Sequence, residues 1–142
     1  GDDAGELAIK VVSKASMTHL TTHTALNQEV TIMLNLQPHP NVVQAYFIKN
    51  SFRHFFVGMQ YAGPMCLHAY TVQHLKQSEE KTLPPRKVLS FAKQQALAVQ
   101  HLHRAMIAHR DLKPRNFIVS HDGEDLKLTD FGLAVQLSGA CQ

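Results

Sequence analysis

One helical pattern and the loop it leads into constrain this 142-residue chain more than any other feature. Pro84-Pro85 suits a first turn, because its fixed φ is already helical. From there Val88, Phe91, Ala92, Gln95, Ala96, Val99 and Leu102 trace one side of a helix running to His103. The chain then turns polar at His109-Arg110-Asp111-Leu112-Lys113-Pro114-Arg115-Asn116. It returns to short apolar runs at 117–120 and 126–129, around the turn His121-Asp122-Gly123. This order predicts a long helix, a polar loop and a small hairpin in direct succession.

Upstream the pattern is strand-like. Residues 6–13 carry Leu7, Ile9, Val11 and Val12, with Ala8 and Lys10 on the face opposite Leu7 and Ile9, and Gly5 before them suits a tight turn. A polar stretch then offers Thr18, Thr21 or Thr22 as the N-cap of a helix. Its stripe is Leu26, Val30, Met33 and Leu34, and Pro38 and Pro40 end it. Residues 41–49 and 55–61 read as two further strands, 67–75 as a short helix and 77–82 as a surface loop. Strands dominate before Gly63-Pro64 and helix after it, which predicts two lobes, 1–62 and 63–142.

Composition narrows the function classes. Apolar residues make up 44% and charged residues 18%, which places the chain among folded globular proteins of one ordinary domain. The net charge of +3 is spread along the chain, so no nucleic-acid partner is expected. No run of ~18 apolar residues suggests a membrane span. Cys66 and Cys141 lack metal-ligand spacing and read as free thiols. Residues 1–5 lack the features of a secretory signal, so the expected setting is intracellular and cytoplasmic. His101 and His103 diverge by ~200° on a helix, too far to share a metal, and Met17, Met65 and Met106 read as packing residues.

The polar loop carries the chemistry. Asp111 can accept a proton, Lys113 can balance phosphate charge, and Asn116 can offer an amide oxygen to a hard cation. Phosphoryl transfer asks for these roles, since it depends mostly on positioning and charge stabilisation. Lys10, Glu29 and Asp130-Phe131-Gly132 are each ordinary when taken singly. Their company changes the reading: Leu7-Ala8-Ile9-Lys10, Glu29, His39-Pro40-Asn41-Val42-Val43, the string 109–116, and Asp130-Phe131-Gly132 nineteen positions beyond Asp111. Together these segments resemble the protein kinase family, and Lys113 resembles its serine/threonine branch.

The resemblance implies an α+β, two-lobe kinase-like fold, incomplete, with a partial antiparallel sheet and the start of a helical lobe. It implies ATP and Mg2+ as cofactors and a protein serine or threonine hydroxyl as acceptor, with regulatory partners unspecified. Lys10 would contact phosphates and pair with Glu29. Lys10, Asp111, Lys113 and Asn116 would be catalytic, and Asn116 and Asp130 would hold metal. Ala8 and Ile118 would sandwich the adenine, Met59 would stand at the gatekeeper position, and Gln60, Tyr61 and Ala62 would form the hinge. His109, Phe131 and Met33 would stack internally, and Ala45 stands where a larger aliphatic residue is usual. Arg110 implies regulation by phosphorylation in an activation segment.

The resemblance also has gaps. No Gly-x-Gly-x-x-Gly precedes Lys10, and ten residues follow Gly132, with no Ala-Pro-Glu. The stripe of the long helix is therefore expected to be partly exposed, and the polypeptide alone to be inactive and poorly soluble or partly folded. Two alternatives stand beside the enzyme: a non-catalytic kinase-like module that binds nucleotide or a partner, and, more weakly, a small-molecule phosphotransferase.

Overall fold

Alternation in the first strand meets a single helix on one side only. Ala8, Lys10 and Val12 of β1 (Leu7–Ser13) are half-buried, while Leu7, Ile9 and Val11 face outward. The computed structural model describes residues 6–17, 20–79 and 81–137. β1 pairs antiparallel with β3 (His54–Gln60), which pairs antiparallel with β2 (Ala45–Asn50), in the order β1-β3-β2. This register sets Ala8 opposite Met59 and Lys10 opposite Val57. A bulge between Ala45 and Phe47 shifts the β2–β3 ladder.

Helix α1 (Leu20–Asn35) bridges two apolar clusters. Leu26 and Val30 join Met17 and Val57 beneath the sheet. Ile32, Met33 and Leu36 join the larger cluster with Val42, Val43, Ala45, Leu102, Leu128 and Phe131. Serving both clusters widens its buried arc, so Ile32 is covered, as is Leu36 just past the helix end, while Leu34, expected on the stripe, is 38% exposed. The helix starts at Leu20, which puts Thr21 and Thr22 inside its first turn rather than at the cap, and Thr18 lies outside the described residues.

Strand β2 starts later than expected, at Ala45 instead of 41. Residues 41–43 are engaged elsewhere: Val42 bridges in parallel to Leu128, and the Val43 N–H donates to the Leu128 carbonyl at 2.9 Å. Asn41 is buried, its amide donating to the Leu126 carbonyl at 2.9 Å and to Gln94 Oε1 at 2.8 Å.

After β3 come β4 (Met65–Cys66), α2 (Leu67–Gln77) and α3 (Pro85–Arg104). Then follow β5 (Ile107–Ala108), a 3-10 turn (Pro114–Asn116), β6 (Phe117–Val119), β7 (Leu126–Leu128) and β8 (Val135–Gln136). β4-β6-β7 form one small antiparallel sheet and β5-β8 another. Gly63 enters this region at φ +149°, and a Cβ there would lie 1.9 Å from the Val119 carbonyl oxygen, so only glycine fits.

The stripe on α3 divides. Phe91 and Leu102 are buried against the small sheet and core, joined by Ala98 from outside the stripe, whereas Val88 is 49% exposed and Ala92 and Ala96 face an open groove with Leu112, Pro114 and Phe117. Part of the stripe is exposed, as expected. Met106 departs from its expected packing role: it sits at φ +56°, 43% exposed, on the turn that ends α3. No helix among the described residues is long and apolar enough to cross a membrane.

Candidate functional site

Because α1 is held at both clusters, Glu29 is fixed in depth beneath the sheet. It is 7% exposed, and Lys10 Nζ donates to its Oε1 at 2.5 Å across 19 positions. The β1 pleat turns Lys10 towards α1 while its outward neighbours face water. A cavity of about 230 Å³ is lined by Lys10, Glu29, Met33, Met59, Thr129 and Asp130. Four sequence-derived site residues therefore meet at one opening. Ala8, Gln60, Tyr61, Ala62 and Ile118 do not line it.

The polar loop forms a second group. Lys113 Nζ donates to Asp111 Oδ2 at 2.6 Å. The Asn116 amide nitrogen donates to the same oxygen at 2.9 Å and to the Asp111 backbone carbonyl at 2.8 Å. These bonds from Lys113 and Asn116 hold the Asp111 carboxyl below the usual carboxylate range, so it is ionised at neutral pH. With its amide nitrogen directed at Asp111, Asn116 has its carbonyl oxygen to offer a cation.

Backbone geometry ties the groups together. Thr129 donates its N–H to the Asn116 carbonyl at 2.9 Å, joining the loop to the residue before Asp130. His109 is buried and packs edge-on against Phe131, with ring centroids 5.1 Å apart. Its Nε2 lies 3.1 Å from the Thr129 carbonyl oxygen, and its Nδ1 accepts the Asp111 N–H at 3.3 Å. The tautomer with its proton on Nε2 satisfies both contacts. Arg110 and Asp130 both adopt φ +63°, and Arg110 Nε donates to the Leu133 carbonyl at 2.7 Å. Left-handed conformations at non-glycine residues cost on the order of 1–3 kcal/mol each and persist where surrounding contacts over-determine them.

At the end of β3 the hinge set divides. The Gln60 N–H donates to the Gln44 carbonyl at 2.8 Å and the Tyr61 N–H to Glu6 at 3.1 Å. The Ala62 N–H has no backbone partner among the described residues, so it alone of the three can meet a ligand acceptor. Met59 packs against both apolar clusters. Ile118 lies in β6 opposite Lys127 and Cys66.

Two contributors escaped the sequence. Thr129 lines the cavity, with no signal beyond its place before Asp130. Gln94, on α3, accepts from Asn41 Nδ2 at 2.8 Å and from the Leu126 N–H at 2.7 Å, and donates to the Glu124 carbonyl at 2.8 Å. It thereby fastens the segment after α1 to the hairpin carrying Asn116 and Asp130. No signal in the sequence marked it out.

Comparison with known proteins places the chain. The protein kinase domain family model matches residues 2–141. A serine/threonine-protein kinase of Bacillus subtilis, PrkC, is 34% identical over 100 residues, covering 70% of this chain and 14% of the relative. Serine/threonine-protein kinase Nek3 of Mus musculus is 32% identical over 122 residues, covering 84% of this chain and 22% of the relative. A probable myosin light chain kinase of Dictyostelium discoideum is 31% identical over 126 residues, covering 88% and 38%. The chain thus spans well under half the length of each.

Proposed function

The chain belongs to the protein kinase domain family, and from that premise we propose that it is the central part of a serine/threonine kinase that transfers the γ-phosphoryl of ATP to protein hydroxyls. The observation that carries this reading is the meeting of Lys10, Glu29 and Asp130 at one cavity, beside a loop in which Asp111 is held ionised. We assign residues 1–62 to the small lobe and 63–142 to the start of the large one.

In this reading Glu29 orients Lys10 towards phosphate oxygens. Asp111, ionised and held by two donors, accepts the proton of the attacking hydroxyl, and Lys113 offsets charge on the transferring group. Ala62 supplies a backbone donor to the purine, with Gln60 and Tyr61 completing the hinge, Met59 behind it, and Ala8 and Ile118 on the ring faces. The carboxylate of Asp130 and the amide oxygen of Asn116 are hard oxygen donors that fit magnesium. Bound there, the ion would neutralise phosphate charge.

Asp111→Asn in the protein containing this chain should abolish transfer to a serine- and threonine-containing acceptor while leaving magnesium-dependent ATP binding intact. Retained turnover contradicts the proton-acceptor role. The open groove of about 440 Å³ between α3 and the loop at Leu112 to Phe117 favours a second reading, a nucleotide-binding module that docks a partner. ATP binding without transfer by the unsubstituted protein would select it.

A further inference from the structure

A larger cavity, about 540 Å³, opens on the side of α1 remote from the Lys10–Glu29 pair, where the ends of α1 and α3 meet β5 and β8. We propose that it binds a small apolar molecule bearing a carboxylate. The volume lies within the roughly 300–1,000 Å³ of small-molecule sites. Its floor is made by Ile32, Leu36 and Ile107, all nearly fully buried core residues whose outer surfaces face the opening. Such a floor recognises hydrocarbon.

The rim decides the charge. Among the described residues no acidic side chain lines the cavity, and the two basic ones that do, His101 and Arg104, stand together on the last turn of α3. Helix C-termini ordinarily present unsatisfied carbonyls, which disfavour an anion. Here several carbonyls at and just beyond the two helix ends already have partners. Ile32 takes the Leu36 N–H at 3.0 Å, Gln37 takes His101 Nε2 at 2.8 Å, and Leu102 takes the Ala105 N–H at 3.0 Å. Gln136 Nε2 donates to the Ala105 carbonyl at 2.9 Å and to Met106 at 3.2 Å. The Arg104 guanidinium, by contrast, makes no hydrogen bond or ion pair among the described residues. An unpaired planar guanidinium beside an apolar floor, among neutral amides from α1, fits a carboxylate and gives a cation nothing to pair with.

The site lies on α1, which also carries Glu29, so occupancy would brace the helix that holds the ion pair. Binding itself does not rest on the kinase reading and is measured without phosphoryl transfer. Equilibrium dialysis of the protein containing this chain against 2-naphthylacetate, with neutral 2-naphthylethanol as the matched probe, tests it. The acid should bind about tenfold tighter than the alcohol, and Arg104→Gln should erase that preference, as expected for a charge-assisted contact. Thr31→Trp, on an exposed helical position of the rim, should block both probes without lowering the melting temperature. Equal affinity for acid and alcohol, full affinity in Arg104→Gln, binding that survives Thr31→Trp, or no binding at millimolar probe would each overturn the proposal.

Discussion

Lys10→Met and Glu29→Gln delete one ion pair from opposite sides, and the structure predicts unequal costs. The Glu29 side chain is 8% exposed and that of Lys10 39%. Removing the lysine strands a carboxylate in a nearly closed setting, where an uncompensated buried charge costs about 3–5 kcal/mol. The adjoining cavity admits water to that carboxylate, which lowers the expectation to about 2–3 kcal/mol. Removing the glutamate leaves an ammonium on a flexible stem that turns to solvent, so the loss resembles that of an exposed pair, about 0.5–1 kcal/mol. The difference, about 2 kcal/mol, corresponds to roughly 6–10 °C in melting temperature for a chain of this size. Paired urea and thermal melts of the two variants and of Lys10→Met/Glu29→Gln measure it. The double variant carries no stranded charge and should recover about 1 kcal/mol or more relative to Lys10→Met. Equal losses in the two single variants, or strict additivity in the double, would refute the argument that burial of the acid sets the cost.

Gly63→Ala should destabilise by about 3 kcal/mol or more, because the added Cβ meets strand backbone at 1.9 Å instead of a side chain that can rotate away. A urea midpoint within error of the parent protein would show that the junction yields. Burial, then the charges of His101 and Lys127, push the His39 imidazole below its ordinary 6.5. The unfolded chain therefore binds that proton more readily, so stability is complete above pH 6.5 and is lost as pH falls from there through the lowered folded value. His39→Gln should flatten the fall in stability between about pH 7.5 and 5.5 relative to the parent, and an unchanged slope would place the titration elsewhere.

The strands, helices and hairpin were legible wherever a pattern answers to one neighbour. Residues 7–13 alternate because one face meets α1, and the helix boundary at Pro85 follows from proline chemistry alone. The pairing of Lys10 with Glu29 was legible only through the resemblance to the kinase family, since each residue is ordinary by itself, and the two lie at hydrogen-bonding distance. Positions serving two neighbours were not legible. Leu34 and Ile32 are both apolar and on α1, and only the second cluster at the end of the helix decides that Ile32 is buried. At 41–44 the strand pattern lost to cross-chain demands, since the Val43 N–H and the Asn41 amide find partners on β7.

The hinge shows why residue identity alone could not resolve the site further. Gln60, Tyr61 and Ala62 are equivalent as carriers of backbone N–H groups, and what separates them is whether a neighbouring carbonyl claims the donor. Glu6 claims Tyr61 because β1 continues one residue past its own ladder, and Gln44 claims Gln60 because the chain before β2 runs alongside. Both depend on the register between segments distant in sequence, which the β2 bulge at Ala45 and Phe47 alters in a way no local pattern encodes. The string 109–116 is the opposite case. The contacts among Asp111, Lys113 and Asn116 close within five residues, so the sequence that names these side chains also brings them together.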